Sequence, residues 1–534
     1  MNWFLEKLFG QKIQQVTDRY LRQLARAPLQ ASREYASRLL ASLASDPGPE
    51  VTLGETLWGE PVRLSLDYLA GGIGFVSGGM GSGKTRLALL IVKALLALMP
   101  HRDAGFGIID PKNELYPGTL FLLMERLKDL RGRDPPAARE LLRRIVIYDL
   151  SLADPVSSFN VLARWPGTDP DFFASTRANL LLDLLRVQDQ PSLGGTELLR
   201  EAILVVSEFQ LPITVVTEFL HNDTFRSMLV ARSRNPSVSK YFARQFSNLP
   251  KSTIAALSRR LDALFGCESV RLCLSGKTAP DFRRLQDEGK IVLITSFGNS
   301  IARSDRQLLQ GLAMSDIGRS VFTRRQTDRP YLWVCDEAQN FFLTSKMRDN
   351  MSELLTLSRS FGTNFLFLTQ NVSVGVQDAR VLKLIETNLR WCCALRGDPG
   401  DCAFLKPVLP VTGRMLRPQA DPFAPKSFYS VSEERAMLLD AIAHLPERVG
   451  YFWPKTRSAE ALKIRTQDLM IPESAALQAA TLAIRRDASI GMRLSRKEYL
   501  RQIAERDRQW LGEADPSLGE TLQKAYRQTR GEQS

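Results

Sequence analysis

Residues 78–85 constrain the fold more than any other stretch of this 534-residue chain. They follow the apolar run 73–76, which predicts a buried strand, and they lead into the apolar run 86–96, which predicts a helix. A strand, a glycine-rich loop and a helix in this order are the context that a phosphate-binding P-loop requires. The glycines let successive backbone N–H groups point at one oxyanion, and the helix adds the positive end of its dipole. The sequence therefore predicts a nucleotide-binding site.

The residues of this loop have separate expected roles in binding ATP with Mg²⁺. Lys84 would reach the β- and γ-phosphates, and the hydroxyl of Thr85 would ligate the metal. A glycine-rich turn that matches the motif by chance is the alternative, and the flanking strand and helix argue against it. The predicted nucleotide-binding residues are Gly78, Gly79, Met80, Gly81, Ser82, Gly83, Lys84, Thr85 and Arg86.

Two carboxylates, Asp336 and Glu337, directly follow the apolar run 331–335. We expect Asp336 to hold the Mg²⁺ shell and Glu337 to polarise the attacking water. Gln370 ends the next apolar run, where its amide could contact the γ-phosphate or the water. Arg359 lies between them, and it could complete the site of a neighbouring subunit or be a surface arginine. The expected catalytic residues are Lys84, Glu337, Arg359 and Gln370, and the expected metal ligands are Thr85 and Asp336.

Apolar strands alternate with helical patterns over much of the chain, which predicts an α/β protein with a mostly parallel sheet. Alternation around Gly59 predicts a hairpin over 51–64. Helical periodicity replaces the strand signals after about residue 165, so we expect an inserted all-α domain there. The expected segments are a helical N-terminal segment 1–48, a first core part 49–164, the inserted domain 165–285, a second core part 286–473 and a helical C-terminal extension 474–534.

The chain has 71 basic and 58 acidic side chains and a net charge of +13. The excess is spread along the chain and suits a polyanionic partner such as DNA, although many basic proteins bind none. Five basic residues make the middle of the expected helical domain basic, and a solvated helix face explains them as well as a nucleic-acid surface does. These are Arg232, Arg234, Lys240, Arg244 and Lys251.

No uncharged apolar run is long enough to span a bilayer, and the sequence has no secretory signal. The amphipathic stretch 1–9 could lie on a membrane or cap its own domain. The six cysteines show no paired spacing, which fits a reducing compartment. We therefore expect a cytoplasmic protein without an integral membrane segment, which partners could hold at the inner membrane.

Several of these motifs, in this order, resemble the type IV coupling proteins of bacterial conjugation, within the FtsK–HerA-type hexameric ATPases. The resemblance covers roughly residues 50–460, including the helical insertion. The P-loop and the acidic pair are shared by many ATPases, whereas the segment after residue 109 and the position of the insertion are more specific. The residues that carry it are Leu53-Gly54, Pro61-Val62-Arg63-Leu64, Asp110-Pro111-Lys112-Asn113-Glu114, Ser158-Phe159-Asn160, Asp336-Glu337-Ala338-Gln339 and Gln370.

The resemblance implies a RecA-like P-loop NTPase core that assembles as a homo-hexameric ring and translocates DNA through a central channel. ATP would then bind between subunits, with Arg359 supplied by the neighbour. Many coupling proteins begin with transmembrane helices and this sequence shows none, which leaves open a cytosolic relative in a mobile element or a defence system. The partners that the resemblance implies are DNA and a relaxase, a secretion channel or a nuclease.

Two other functions stay open at this point. The protein could be an ATP-dependent receptor that hands a protein substrate to a secretion channel. It could also be the ATPase subunit of a DNA-processing nuclease complex, although the sequence shows no separate nuclease motif. Stimulation of the ATPase by DNA distinguishes a motor from a receptor, and co-purification with a nuclease distinguishes the third function.

Overall fold

The computed structural model describes residues 32–46, 48–165, 167–185, 193–296, 301–342, 345–370, 379–398, 405–418, 427–455, 460–471, 475–487 and 489–514. The predicted N-terminal helix therefore lies outside the described residues as far as residue 31, and so does the C-terminal extension from residue 515. Within the described ranges, no helix is both long enough and apolar enough to cross a membrane.

The described residues form eleven strands and nineteen α-helices. The strands are β1 (Glu50–Thr56), β2 (Pro61–Ser65), β3 (Ile73–Ser77), β4 (Gly105–Asp110), β5 (Ile145–Asp149), β6 (Ile291–Thr295), β7 (Tyr331–Cys335), β8 (Thr363–Thr369), β9 (Leu389–Leu395), β10 (Val449–Pro454) and β11 (Leu462–Thr466). The helices are α1 (Arg33–Ala44), α2 (Leu66–Leu69), α3 (Lys84–Leu98), α4 (Leu115–Arg133), α5 (Pro135–Arg144), α6 (Pro170–Leu184), α7 (Leu193–Glu208), α8 (Thr214–His221), α9 (Asp223–Arg232), α10 (Pro236–Arg244), α11 (Lys251–Ala263), α12 (Glu268–Leu274), α13 (Phe282–Asp287), α14 (Arg303–Phe322), α15 (Ser345–Leu357), α16 (Ala379–Asn388), α17 (Val431–Ala443), α18 (Ala475–Arg486) and α19 (Arg496–Ala514). Short 3₁₀ helices span Phe246–Asn248, Ala338–Phe342 and Ser358–Phe361.

The chain folds into two compact units, and each is made of several separate segments. The first unit comprises the described residues up to Leu98 together with Leu332–Gln339 and Leu355–Ile471. The second comprises Met99–Tyr331, Asn340–Leu354 and the described residues after 471. The P-loop and the expected catalytic residues all belong to the first unit.

The first unit contains a mixed sheet with the strand order β2-β1-β11-β10-β9-β3-β8-β7. β3, which precedes the P-loop, pairs in parallel with β8 and with β9, and its last residue Ser77 lies opposite Thr369 and Ala394. All five residues of β3 are buried, as expected for a parallel strand that is covered on both faces. The strands from β9 to β2 pair antiparallel. The P-loop therefore leaves the carboxyl end of an interior strand.

The hairpin predicted over 51–64 is confirmed by the antiparallel pair β1 and β2, and Gly59 in its turn has a φ of +77°. The sequence did not predict β11. That strand is only five residues long and alternates buried with more exposed positions, so it is too short for its periodicity to stand out. Its two neighbours in the sheet, β1 and β10, decide its conformation.

The second unit contains the parallel strands β4, β6 and β5, with β6 in the middle. The regular elements between Pro170 and Asp287 in the described part are all helices. The predicted α/β fold with a helical insertion is confirmed, and the exact domain boundaries stay a prediction. Inside this unit, the buried side chain of Arg177 pairs with Asp316, which also accepts a 3.2 Å hydrogen bond from Trp165 Nε1.

The two C-terminal helices pack within the second unit. Arg485 of α18 pairs with the fully buried Asp149 at the end of β5, at 2.7 Å. The hydroxyl of Tyr499 in α19 donates to the carbonyl of Leu272 at 2.8 Å. Tyr499 also belongs to a buried apolar cluster with Val156, Leu272 and Ile503. These contacts integrate the described part of the extension into the core of its unit.

Candidate nucleotide-binding site

The glycines of the P-loop are required by its backbone conformation and by close packing. Gly81 and Gly83 have φ angles of +70° and +104°, which side-chain-bearing residues rarely adopt. A Cβ atom on Gly78 would lie 2.5 Å from Ser82 Oγ and 2.9 Å from Leu395 Cβ. Ser82 Oγ donates to the carbonyl of Gly79 at 2.8 Å and closes the loop on itself. The loop is thus a tight turn that its own glycines and an internal hydrogen bond define.

Lys84 carries its charge into the middle of the loop. Its side chain is buried, and Nζ donates to the carbonyls of Gly78 and Gly79 at 2.7 and 2.8 Å. Burying an ammonium group is costly unless strong acceptors surround it, and phosphate oxygens are stronger acceptors than carbonyls. Thr85, the next residue, is half-buried in the first turn of α3. The loop therefore concentrates positive charge where the motif predicts phosphates.

The acidic pair lies directly after β7, and both carboxylates are buried. Glu337 has a φ of +51°, a conformation that is strained for a residue with a side chain and that is often found at functional sites. Gln339 Nε2 donates to Glu337 Oε2 at 2.5 Å, and Thr369 Oγ1 donates to Gln339 Oε1 at 2.8 Å. The amide of Gln339 thus orients one oxygen of the expected catalytic carboxylate.

Thr369 connects this carboxylate with the P-loop. Its carbonyl accepts a hydrogen bond from the Gly78 N–H at 3.2 Å, while its hydroxyl donates to Gln339. A continuous path of hydrogen bonds therefore runs from Gly78 through Thr369 and Gln339 to Glu337. Gln370 directly follows Thr369 and is half-buried. Because Thr369 lies opposite Ser77 in the sheet, the backbone of Gln370 lies beside Gly78, the first glycine of the loop. The structure brings the predicted residues Gly78, Glu337 and Gln370 together through Thr369 and Gln339, for which the sequence predicted no role in the site.

Two other predicted residues lie apart from this group. Arg359 is exposed on the 3₁₀ helix Ser358–Phe361, which precedes the amino end of β8. The P-loop is at the carboxyl end of the parallel neighbour β3, so the seven residues of β8 put about 20 Å between Arg359 and its own P-loop. Arg86 donates its guanidinium to the carbonyl of Leu469. Neither residue is in the hydrogen-bonded path.

Arg448 is a neighbour of the P-loop that sequence analysis missed. Its backbone N–H donates to the carbonyl of Ser82 at 3.1 Å, and its guanidinium pairs with Asp468 at 2.9 Å. A Cβ on Gly83 would meet its Cγ at 3.2 Å. No local motif marks Arg448, because more than 360 residues separate it from the loop. Only pairing of β10 with β9 and β11 brings it there.

Asp110 has a structural role within the second unit. It is the first residue of the motif 110–114, one of those on which the family resemblance rests. Its carboxylate accepts four backbone N–H groups at 2.7 to 2.9 Å, including those of Leu115 and Tyr116 in the first turn of α4. Burial raises the pKa of Asp110, and these four donors oppose that rise because they stabilise the charged form. The side chain therefore holds the turn that carries Lys112.

These residues fit a nucleoside triphosphate with a divalent metal. The buried amine of Lys84 suits the phosphates, and the hydroxyl and carboxylate oxygens of Thr85 and Asp336 are the donor types that Mg²⁺ prefers. Glu337 has one oxygen oriented by Gln339, as a proton acceptor needs.

Comparison with solved structures finds the same architecture in a bacterial conjugation protein. The conjugative coupling protein TrwB, in complex with the non-hydrolysable ATP analogue ADPNP, is 16% identical to this chain with a TM-score of 0.53, over 84% of this chain and 96% of TrwB. The chain has the fold of TrwB. The unbound monoclinic form of TrwB gives 14% identity and a TM-score of 0.52, over 84% of this chain and 96% of that one.

VirB4 of Thermoanaerobacter pseudethanolicus shares the fold as well, at 13% identity and a TM-score of 0.50, over 79% of this chain and 98% of VirB4. No protein-family model matches the sequence, and no curated protein sequence is significantly similar to it. The likeness to TrwB confirms the fold that the motif resemblance implied, since the two chains match over most of their lengths. At this level of identity the likeness establishes the fold alone.

Proposed function

We propose that this protein is an ATP-hydrolysing motor that moves DNA and works as a ring of identical subunits. The observation that carries the proposal is the hydrogen-bonded path that joins the P-loop to the buried carboxylate of Glu337 in a chain with the TrwB fold. The DNA part of the proposal is supported by the net charge of +13 and by the fold of a conjugative coupling protein.

In this function the P-loop binds the phosphates and the acidic pair prepares the water. The backbone N–H groups of the loop and the amine of Lys84 hold the β- and γ-phosphates. Thr85 and Asp336 would hold Mg²⁺, which would supply charge neutralisation at the phosphate oxygens. Glu337 accepts a proton from the attacking water, and Gln339 keeps its carboxylate in the required orientation.

The guanidinium of Arg448, beside the P-loop, pairs with Asp468, and we assign the role of the transition-state arginine to Arg359 of a neighbouring subunit. Arg359 is too far from its own P-loop to act there, and its exposed position on a turn leaves it accessible to another copy of the chain. Gln370, beside Gly78, would report the state of the γ-phosphate to β8, the strand that it directly follows. Hydrolysis would then move elements of the ring against DNA.

The test is ATP hydrolysis with and without DNA. A motor should hydrolyse ATP faster when mixed-sequence DNA is present, and it should displace a labelled strand in one direction. Binding should weaken steeply with salt and depend little on base sequence, because a motor holds phosphates rather than bases. The Glu337→Gln variant is the control for contaminating ATPases. Hydrolysis that is indifferent to DNA would favour the receptor function instead.

A further inference from the structure

Arg448 has a backbone conformation that is unusual for an arginine. It is the third residue of the turn that leads into β10, and the Val449 N–H closes this turn by donating to the carbonyl of Pro446 at 3.2 Å. The φ of Arg448 is +62°, in the left-handed region where such turns usually have glycine or asparagine. An arginine is strained there, and strain of this kind persists only where other contacts hold it.

Both backbone groups of Arg448 bind neighbouring elements of the first unit. The N–H donates to the carbonyl of Ser82 in the P-loop at 3.1 Å. The carbonyl accepts from the N–H and from the hydroxyl of Thr466, the last residue of β11, at 2.8 and 3.2 Å. The left-handed conformation thus directs one backbone group at the P-loop and the other at the sheet.

The side chain of Arg448 lies along the same part of the loop. Its Nη1 pairs with Oδ2 of Asp468 at 2.9 Å, and a Cβ on Gly83 would lie only 3.2 Å from its Cγ. Asp468 directly precedes Leu469, whose carbonyl accepts a hydrogen bond from Arg86 in the first turn of α3. The segment that follows β11 therefore holds the P-loop and the start of its helix through two arginines.

The bond from Arg448 sets the orientation of the peptide between Ser82 and Gly83. In a trans peptide the C=O and N–H groups point in opposite directions, so the Gly83 N–H faces away from Arg448. Within the described ranges, no protein atom accepts a hydrogen bond from this N–H. A loop N–H that is left without a protein acceptor is a donor that a bound phosphate can use.

We propose that Arg448 is a positioning residue for phosphate binding, which holds the Ser82–Gly83 peptide with its N–H toward the phosphates. Asp468 fixes the guanidinium beside Gly83, and Thr466 fixes the carbonyl, so the strained turn stays in place. Arg448 acts through the loop in this role and does not touch the reacting atoms. The inference rests on the proposed ATP site and adds a residue that the P-loop motif does not contain.

The experiment measures ATP hydrolysis and ADP binding by the Arg448→Gly variant. Glycine relieves the strain at positive φ, which offsets its greater loss of entropy on folding, so the unfolding temperature should stay close to that of the wild type. The released turn no longer directs its N–H at Ser82. KM for ATP and Kd for ADP should therefore both rise about tenfold, the value of one hydrogen bond to a charged group, while kcat stays nearly unchanged.

Two further variants separate the side chain from the turn. Arg448→Lys keeps a cation beside Asp468 and should retain most of the affinity for ADP. Asp468→Asn removes the charge that holds the guanidinium and should weaken ADP binding about threefold, as expected for a partly exposed ion pair. The matched control is Arg465→Ala, which removes the same charge from an exposed position on β11 and should bind ADP like the wild type.

Unchanged KM and Kd in Arg448→Gly would show that the residue only forms a turn, which would overturn the inference. A lower kcat with unchanged ADP affinity would mean that the guanidinium acts on the reaction itself, and the positioning role would be wrong. A wild type that binds ADP but hydrolyses no ATP would refute the motor function, and ADP binding would still decide the role of Arg448. A wild type that binds no ADP would refute both.

Discussion

Lys84 and Glu337 perform different steps of the proposed reaction, so their variants should fail in different ways. Lys84→Ala removes the charge that steadies the phosphates and should reduce ATP turnover on the order of 10²-fold or more. Glu337→Gln keeps size and polarity but removes the proton acceptor, so it should still bind ATP while hydrolysis stops. Turnover assays and binding of a fluorescent ATP analogue measure both. Wild-type turnover in both variants would show that the site is elsewhere.

Gln339 gives a finer prediction, because it acts through Glu337 and does not itself belong to the P-loop. Gln339→Ala should lower kcat about tenfold, the value of one well-placed hydrogen bond, and leave KM for ATP unchanged. Thr369→Val should have the same effect because it removes the hydroxyl that holds the Gln339 amide. The measurement is the steady-state rate against ATP concentration.

Thr369→Ser is the control for this pair, since it keeps the hydroxyl and should retain most of the kcat. A general disturbance of the fold would instead lower the activity of Thr369→Ser and Thr369→Val alike. A rise in KM with unchanged kcat in Gln339→Ala would mean that this amide contacts ATP directly and does not position Glu337.

At the scale of elements, a buried ion pair joins the end of β5 to helix α18. Asp149 is fully buried, and Arg485 binds it with both Nε and Nη2. Arg485→Met removes one partner of a buried ion pair and leaves the other charge uncompensated, which typically costs about 3 kcal/mol of unfolding free energy. Arg486→Met, on the exposed next residue, should change stability by less than about 0.5 kcal/mol.

Calorimetric unfolding of both variants measures this difference. A lower transition temperature in Arg485→Met alone would show that α18 is part of the folded unit and is more than an appended tail. Equal transition temperatures for the two variants would mean that the Arg485–Asp149 pair contributes nothing to stability. In that case the buried ring of Tyr499 in α19 would have to hold the C-terminal extension in place.

At the scale of the whole molecule, the proposed ring predicts that two inactive variants can restore activity together. Arg359→Ala keeps its own P-loop and should bind ATP, yet hydrolyse it poorly, since such an arginine is worth roughly 10³–10⁵ in rate. Lys84→Ala subunits still offer Arg359 to a neighbour. Mixing the two should place an intact P-loop against an intact Arg359 at some interfaces. The measurement is ATP turnover against mixing ratio after the subunits have exchanged.

The control mixes Lys84→Ala with Glu337→Gln, whose lesions affect the same site of each subunit. No interface in that mixture combines an intact Lys84 with an intact Glu337, so the rate should stay near zero at every ratio. A maximum at intermediate ratios in the first mixture alone supports a site shared between subunits. A flat line in both mixtures, with subunit exchange verified, rules out the role of Arg359.

The sequence by itself determined the parts of this protein that local patterns encode. The P-loop between β3 and α3, the carboxylates after β7 and Gln370 after β8 were all predicted, because each combines a continuous apolar run with polar residues at its end. The hairpin of β1 and β2 was predicted for the same reason. These patterns depend only on residues that are close together in the chain, so they can be recognised in a single sequence.

Only the tertiary structure decided which of these pieces meet. The bond from Thr369 to Gln339, the approach of Arg448 to Ser82 and the pairing of β11 with β1 all join residues that are 30 or more positions apart. The sequence also could not tell that Arg359 and the P-loop are at opposite ends of parallel strands. Contacts of this kind depend on strand order and register. The packing of both faces of the sheet selects that order and register, and no local motif encodes them.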